Sequence, residues 1–304
     1  MSIAHLYPGQ GSQVVGMGRE LYERVPSARE LFQQADDLLG FALSQLCFDG
    51  PEEQLTDTVN QQPALFVTSM ATLAAVQAAG WPAPDFVAGH SLGELSALVA
   101  AGSLSFADGL RLVRTRGELM KRAGTEQPGS MAAVLAADPD TVRQACLSAQ
   151  TETGEVVQIA NDNCPGQIVI SGGTAAVQAA TALLTAAGVK RIVALPITIA
   201  AHSPLMASAA GDFAAAVAAT PIAPPRVPVI GNTTAAPLTT AEAIRAELTT
   251  QLTGSVRWTE SMQYLVAQGV DTVVEIGAGD TLQNLMKRIE RSVKRVSFGL
   301  GTGD

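Results

Sequence analysis

The sequence is short of the residues that build disulfide frameworks and metal sites. Its 304 residues include three cysteines, Cys47, Cys146 and Cys164, and three histidines. The cysteines are odd in number, scattered and without metal-type spacing, so neither a disulfide framework nor a zinc site is expected, and they read as small core residues. Basic residues are also few: 19 Lys and Arg stand against 28 Asp and Glu, a net charge of −9. Phosphate backbones demand a basic excess, so nucleic acid is not an expected partner. No apolar run approaches the roughly 20 residues needed to cross a bilayer. The opening Met1-Ser2-Ile3-Ala4-His5 lacks the basic start of a signal peptide, which makes the cytoplasm the expected location. Internal repeats and low-complexity linkers are missing too.

What is present is core material. Hydrophobic residues make up 47% of the chain and charged ones 15%, enough to bury one large domain or one carrying an insertion. Ile3 to Tyr7 reads as a buried strand followed by the loop Pro8-Gly9-Gln10-Gly11-Ser12-Gln13. A dinucleotide fingerprint fails here, because Val14 stands where a third glycine is needed. Residues 19–80 read as helical scaffold, broken near Gly40, Gly50-Pro51 and Gly80-Trp81-Pro82. From Gly129 the pattern changes. Strands at 131–136, 156–160, 167–171 and 191–195 alternate with helices 139–149 and 174–187 in βαββαβ order, the order of a ferredoxin-like fold. Asn161-Asp162-Asn163 is expected at the turn between the two middle strands. Strands near 227–230, 272–276 and 295–298 resume the α/β pattern.

The chemistry centres on Gly89-His90-Ser91-Leu92-Gly93. An apolar run, 86–88, leads into it, and residues 94–101 leave it with helical composition and stop at Gly102. Strand, sharp turn and helix is the setting of a nucleophile elbow. A serine hydroxyl needs a base to take its proton, and histidine is the usual one. His5 lies early in the first strand, and strand geometry points His90 away from its neighbour. His202 is left as the base. No acid adjoins it, so its orienting partner is either an amide such as Gln251 or a main-chain carbonyl. The acyl-transfer oxyanion needs two donors, expected from the amides of Leu92 and Gln10. Arg116 falls within the apolar stripe of the helix 106–122 formed by Leu112, Val113, Leu119 and Met120, so its guanidinium points inward and needs an anion. That anion is either an internal Asp or Glu, or a carboxylate on the acyl group, as in a dicarboxylic monothioester.

These motifs together resemble the malonyl-CoA:acyl carrier protein transacylases over nearly the whole chain. The resemblance rests on Pro8 to Gln13, the elbow Gly89 to Glu94, Arg116-Gly117 with Met120, Asn161 to Gln167, His202 to Met206, and Gln251 before Val256-Arg257-Trp258. It implies an α/β-hydrolase-like large subdomain, residues 1–128 and 197–304, interrupted by a ferredoxin-like small subdomain, residues 129–196. It further implies Ser91 as nucleophile, His202 as base, Arg116 as malonate clamp, Gln10 and Leu92 as the oxyanion hole, and Gln251 lining the site and helping to hold the histidine. Met120, Asn161, His90 and Ala201 complete the implied substrate site. The implied substrate is malonyl-CoA and the partner an acyl carrier protein, with no metal, no tightly bound cofactor, no membrane and a monomeric chain.

One departure bears on the substrate. Before the histidine, relatives often carry Phe or Ser, whereas here Ala200 and Ala201 leave room for methylmalonyl or other branched units. Docking of an acidic carrier is expected at Lys190-Arg191 and at Lys287-Arg288, Arg291 and Lys294-Arg295, the alternative being solvated helix faces. Two other functions compete: a hydrolase of carrier-bound or simple esters that uses the same serine and histidine, although Arg116 has no purpose in a simple esterase, and a non-catalytic partner subunit, against which the retention of Ser91, Arg116 and His202 together stands.

Overall fold

The computed structural model describes residues 1–298. Residues 299–304, which close the expected segment 197–304, lie outside it. Six strands form the main sheet: β1 Ile3–Tyr7, β2 Phe86–Gly89, β7 Val229–Ile230, β8 Pro237–Leu238, β9 Thr272–Glu275 and β10 Lys294–Ser297. Their order is β10-β9-β1-β2-β7-β8, parallel except for β8, which runs antiparallel at the edge. The central strand β1 is buried throughout. Because successive strand side chains point to opposite faces, Ile3 and Tyr7 join one apolar core while Ala4 and Leu6 join another.

The second sheet holds β3 Ser130–Leu135, β4 Val157–Cys164, β5 Gln167–Gly172 and β6 Arg191–Ala194, all antiparallel, in the order β4-β5-β3-β6. Helices Pro139–Thr153 and Thr174–Ala186 cross between its strands and bury Val142, Cys146, Val177 and Leu184 against a separate core. Asp138 starts the first of these as expected, its side chain accepting from the amides of Asp140 and Thr141 ahead of Pro139.

Asn161-Asp162-Asn163 does not form the expected turn. Two register shifts let β4 continue to Cys164, and the turn falls at Pro165-Gly166. The lengthened strand stitches the small sheet to the main body. Asn161 bridges Val256 in parallel, Val256 donates to the Ala160 carbonyl at 2.8 Å, and Asp162 donates back to Val256 at 2.9 Å. All three cysteines are free and buried. Among the described residues no helix is long and apolar enough to cross a membrane, and no cluster of His, Cys, Asp or Glu has metal-binding form.

Candidate active site

The elbow is built by close approach. Strand β2 ends at Gly89 and the helix Gly93–Ala100 starts four residues later. A Cβ on Gly89 would lie 1.9 Å from the Gly93 carbonyl, and one on Gly93 would lie 2.0 Å from the Tyr7 carbonyl, so only glycine lets helix and strands meet this closely. Between them Ser91 takes φ +52°, a left-handed conformation that costs a non-glycine residue about 1–3 kcal/mol. Its amide donates to Asn232 Oδ1 at 2.7 Å, while Asn232 Nδ2 donates to the Gly89 carbonyl at 2.7 Å.

His202 arrives from the opposite side, on the loop after β6, also with positive φ, +56°. Its amide donates to the Leu252 carbonyl at 3.0 Å, and its carbonyl accepts from Gln158 Nε2 of β4 at 2.8 Å. Both the main body and the small sheet therefore fix it. Its Nε2 lies 2.8 Å from Ser91 Oγ, and its Nδ1 lies 2.9 Å from the Gln251 carbonyl and 3.1 Å from that of Gly254. Carbonyls only accept, which assigns the proton to Nδ1 and leaves Nε2 free to accept from the serine hydroxyl. Burial, reinforced by the charge of Arg116, pushes this imidazole down to about 3, so it stands neutral.

Arg116 is completely buried in the helix Phe106–Glu126. Nη1 donates to Gln62 Oε1 at 2.9 Å, and Nη2 donates to Ser91 Oγ at 3.1 Å and Gln251 Oε1 at 3.0 Å. Nε has no acceptor. Among the described residues no carboxylate comes within ion-pair range, so the internal salt bridge that the sequence left open does not form. Burial lowers the guanidinium to about 10, against the opposing field of Glu94. Glu94 itself is fully buried, with its carboxyl raised well above the usual range by burial and by Glu247. It accepts from the Asn232 amide at 2.9 Å and from Gln251 Nε2.

The other expected residues are placed differently from one another. Gln251 is in the cluster, but its carbonyl holds the histidine while its side chain joins Arg116, Glu94 and the Ser91 carbonyl. Met120 touches it through Gln62, whose Nε2 meets Sδ at 3.3 Å. Ala201 is buried beside His202, with Ala200 fully buried before it. Among the described residues, the backbone amides of Leu92 and Gln10 donate to no protein acceptor, and the Gln10 side chain is tied to Thr58 and Gln61. His90 turns away from Ser91, its Nε2 2.7 Å from Asn163 Oδ1 and its ring edge-on to Trp258. Asn161 sits at the seam between the sheets. Of the basic residues, Lys190, Arg191, Lys287, Arg291 and Lys294 lie outside the cluster, and Arg288 is engaged with Gln167 and the carbonyls of Pro165 and Gly166.

Sequence reasoning missed Asn232, Glu94 and Gln62. Asn232 follows a two-residue strand and carries no motif. Glu94 is in the elbow motif, but nothing in the sequence reveals that it is buried.

Residues 4–298 match the family described as acyl transferase domain, which sets the class of the protein. A malonyl CoA-acyl carrier protein transacylase of Bacillus subtilis is 47% identical over 295 residues, 97% of this chain and 92% of the relative. The crystal structure of an acyl-carrier-protein-S-malonyltransferase from Bartonella henselae is 42% identical with a TM-score of 0.94, covering 99% of this chain and 96% of that one. A malonyl-transacylase in complex with its type II PKS acyl-carrier protein is 39% identical with a TM-score of 0.94, covering 98% and 96%. The chain belongs to the malonyl CoA-acyl carrier protein transacylase family.

Proposed function

We propose that this protein moves a malonyl group from CoA to the phosphopantetheine thiol of an acyl carrier protein. The observation that carries the reading is the contact between a buried, carboxylate-free Arg116 and Ser91 Oγ, itself within hydrogen-bond reach of a neutral His202. The Ser91 hydroxyl gives its proton to His202 Nε2 as Oγ bonds to the thioester carbon. The amides of Leu92 and Gln10 receive the oxyanion. Collapse breaks the carbon–sulfur bond, and the imidazolium protonates the departing CoA thiolate. The carrier thiol then reverses these steps, giving its proton to His202 and freeing Ser91. Arg116 grips the malonyl carboxylate throughout, a charge-assisted pairing that an unsubstituted acyl group cannot make. Each of these steps is assigned to this chain's own side chains and main-chain amides together with the two substrates.

The chain is organised in this reading as an α/β-hydrolase-like body, 1–128 and 197–304, with the ferredoxin-like unit 129–196 inserted. The sheet order β4-β5-β3-β6 and the helix crossings support it. Carrier docking is placed at one end of the small sheet. Gln167, Leu135 and Arg191 stand in register there across β5, β3 and β6, and Arg288 reaches Gln167, bringing the 287–291 segment alongside. Free, buried thiols suit a reducing compartment such as the cytoplasm. The small, buried Ala200 and Ala201 keep methylmalonyl as a second donor.

Incubating the protein separately with malonyl-, methylmalonyl- and acetyl-CoA and reading its intact mass tests the proposal. A malonyl adduct outpacing the acetyl one is expected. Equal loading of malonyl and acetyl, or no malonyl adduct, overturns it.

A further inference from the structure

Ser91 is held in a backbone conformation it does not favour, and one side chain from 141 residues away spans the strained peptide on both sides. Asn232 accepts the Ser91 amide through Oδ1 and donates Nδ2 to the Gly89 carbonyl, each at 2.7 Å. It is 1% exposed, and its own backbone is pinned: its amide donates to Glu94 Oε1 at 2.9 Å and its carbonyl accepts from Arg257 at 2.8 Å. The next residue, Thr233, is bound by both carboxylate oxygens of Glu247. Glu94 in turn holds Gln251, which touches Arg116 and the Ser91 carbonyl. One buried acid thus sets the loop that shapes the elbow and the Gln251 amide that accepts from Arg116, the cation of the malonate site.

We propose that Asn232, anchored by Glu94, is a positioning residue that fixes Ser91 in its left-handed conformation and thereby sets the nucleophile against His202. Occupation of the Ser91 amide also directs the site's chemistry. That amide is spent on Asn232, so the oxyanion falls to the next amide along, Leu92, at the start of its helix. Asn232 touches neither Arg116 nor His202. Its loss therefore weakens the chemical step and leaves malonate recognition in place. The inference rests on the reading of Ser91 as the nucleophile.

The test uses phenylmethylsulfonyl fluoride, which needs an activated serine and no malonyl group: a sulfur–oxygen bond forms at Ser91, fluoride leaves and His202 takes the proton. Malonyl loading is measured in parallel. For Asn232→Leu, sulfonylation and kcat fall about 100-fold together, while KM for malonyl-CoA stays within about threefold. Asn232→Asp keeps the shape, and burial beside Glu94 favours its protonated carboxyl, which both accepts from Ser91 and donates to Gly89. Measured relative to wild type at each pH, its rate is near normal at low pH and declines as the carboxyl ionises. Glu94, Glu247, His90, His202, Arg116 and Arg257, whose guanidinium holds the carbonyls of Thr233 and Thr234, are the titratable and charged groups around this network, and all are present in the reference protein. An undiminished rate in Asn232→Leu, a loss carried by KM, or an Asn232→Asp profile parallel to wild type overturns the inference. If the leucine variant does not fold, the aspartate profile decides alone. Failure of wild type to take either malonyl or sulfonyl groups would instead remove the transacylase reading.

Discussion

His202 Nδ1 faces the main-chain carbonyl of Gln251 at 2.9 Å, where an acidic side chain would hold the base of a Ser-His-Asp triad. A carbonyl orients the ring without adding a full negative charge, so the hydrogen bonds to Gln251 and Gly254 only partly offset the burial and the Arg116 field, which hold this imidazole down at about 3.

The pH profile of acylation follows from that arrangement. A base must be neutral, and His202 remains so well below its ordinary 6.5. The rate of malonyl loading at pH 5 is expected within about twofold of that at pH 7, whereas an unperturbed histidine would slow it on the order of 25-fold. Stability runs the other way. The unfolded chain binds the proton that folded His202 refuses, so stability falls as pH drops below 6.5 toward 3. Rapid-quench loading and urea denaturation across this range check both.

Arg116→Ala removes the cation while leaving Ser91 and His202 in contact. Two charge-assisted hydrogen bonds to a carboxylate are worth about 3 kcal/mol, which is on the order of 100-fold in malonyl loading. Acetyl loading is expected to change by less than about threefold. Parallel kinetics with the two thioesters separate a clamp from a residue that only packs.

Gly93→Ala tests the elbow's construction. The added methyl would sit 2.0 Å from the Tyr7 carbonyl and 2.9 Å from that of Pro8, and both belong to backbone that cannot turn aside. A loss of about 3 kcal/mol or more is expected in equilibrium unfolding. A change below about 1 kcal/mol would show that strand and helix have room to separate.

Charge reversal at Arg191 and Lys287 tests the docking end of the small sheet. Such rim charges act on association, so carrier KM should rise several-fold and lose its salt dependence, with malonyl loading from CoA unchanged. Steady-state transfer at two ionic strengths reads this out.

Much of the fold was legible because its signals are local. Ile3–Tyr7 is a strand with the expected bounds, Asp138-Pro139 opens its helix, and the βαββαβ run appears in order. The elbow, His202 and Arg116 were legible for a different reason: a scarce residue type or a charge on an apolar stripe narrows the choice to one. What escaped depends on distance in the sequence. The bulges that carry β4 through Asn161 to Cys164 arise from pairing with Val256, and no local signal foretells them. The two-residue β8 is too short for a period to register. Asn232 looks like any polar loop residue until its partners at 89, 91 and 94 are known. The burial of Glu94 carries no local signal either, since it is set by contacts with Asn232 and Gln251.

The experiment to set above the others follows the acyl group through both half-reactions. Wild type, Ser91→Ala and His202→Ala are mixed with malonyl-CoA, and then with a phosphopantetheinylated carrier protein, and every species is weighed intact. Wild type should gain one malonyl group and surrender it to the carrier. Ser91→Ala should gain none, and His202→Ala should load about 10²–10⁴-fold more slowly. Malonyl appearing as free acid while the carrier stays unmodified, or a malonyl adduct that survives in Ser91→Ala, would contradict the assignment of this site to acyl transfer.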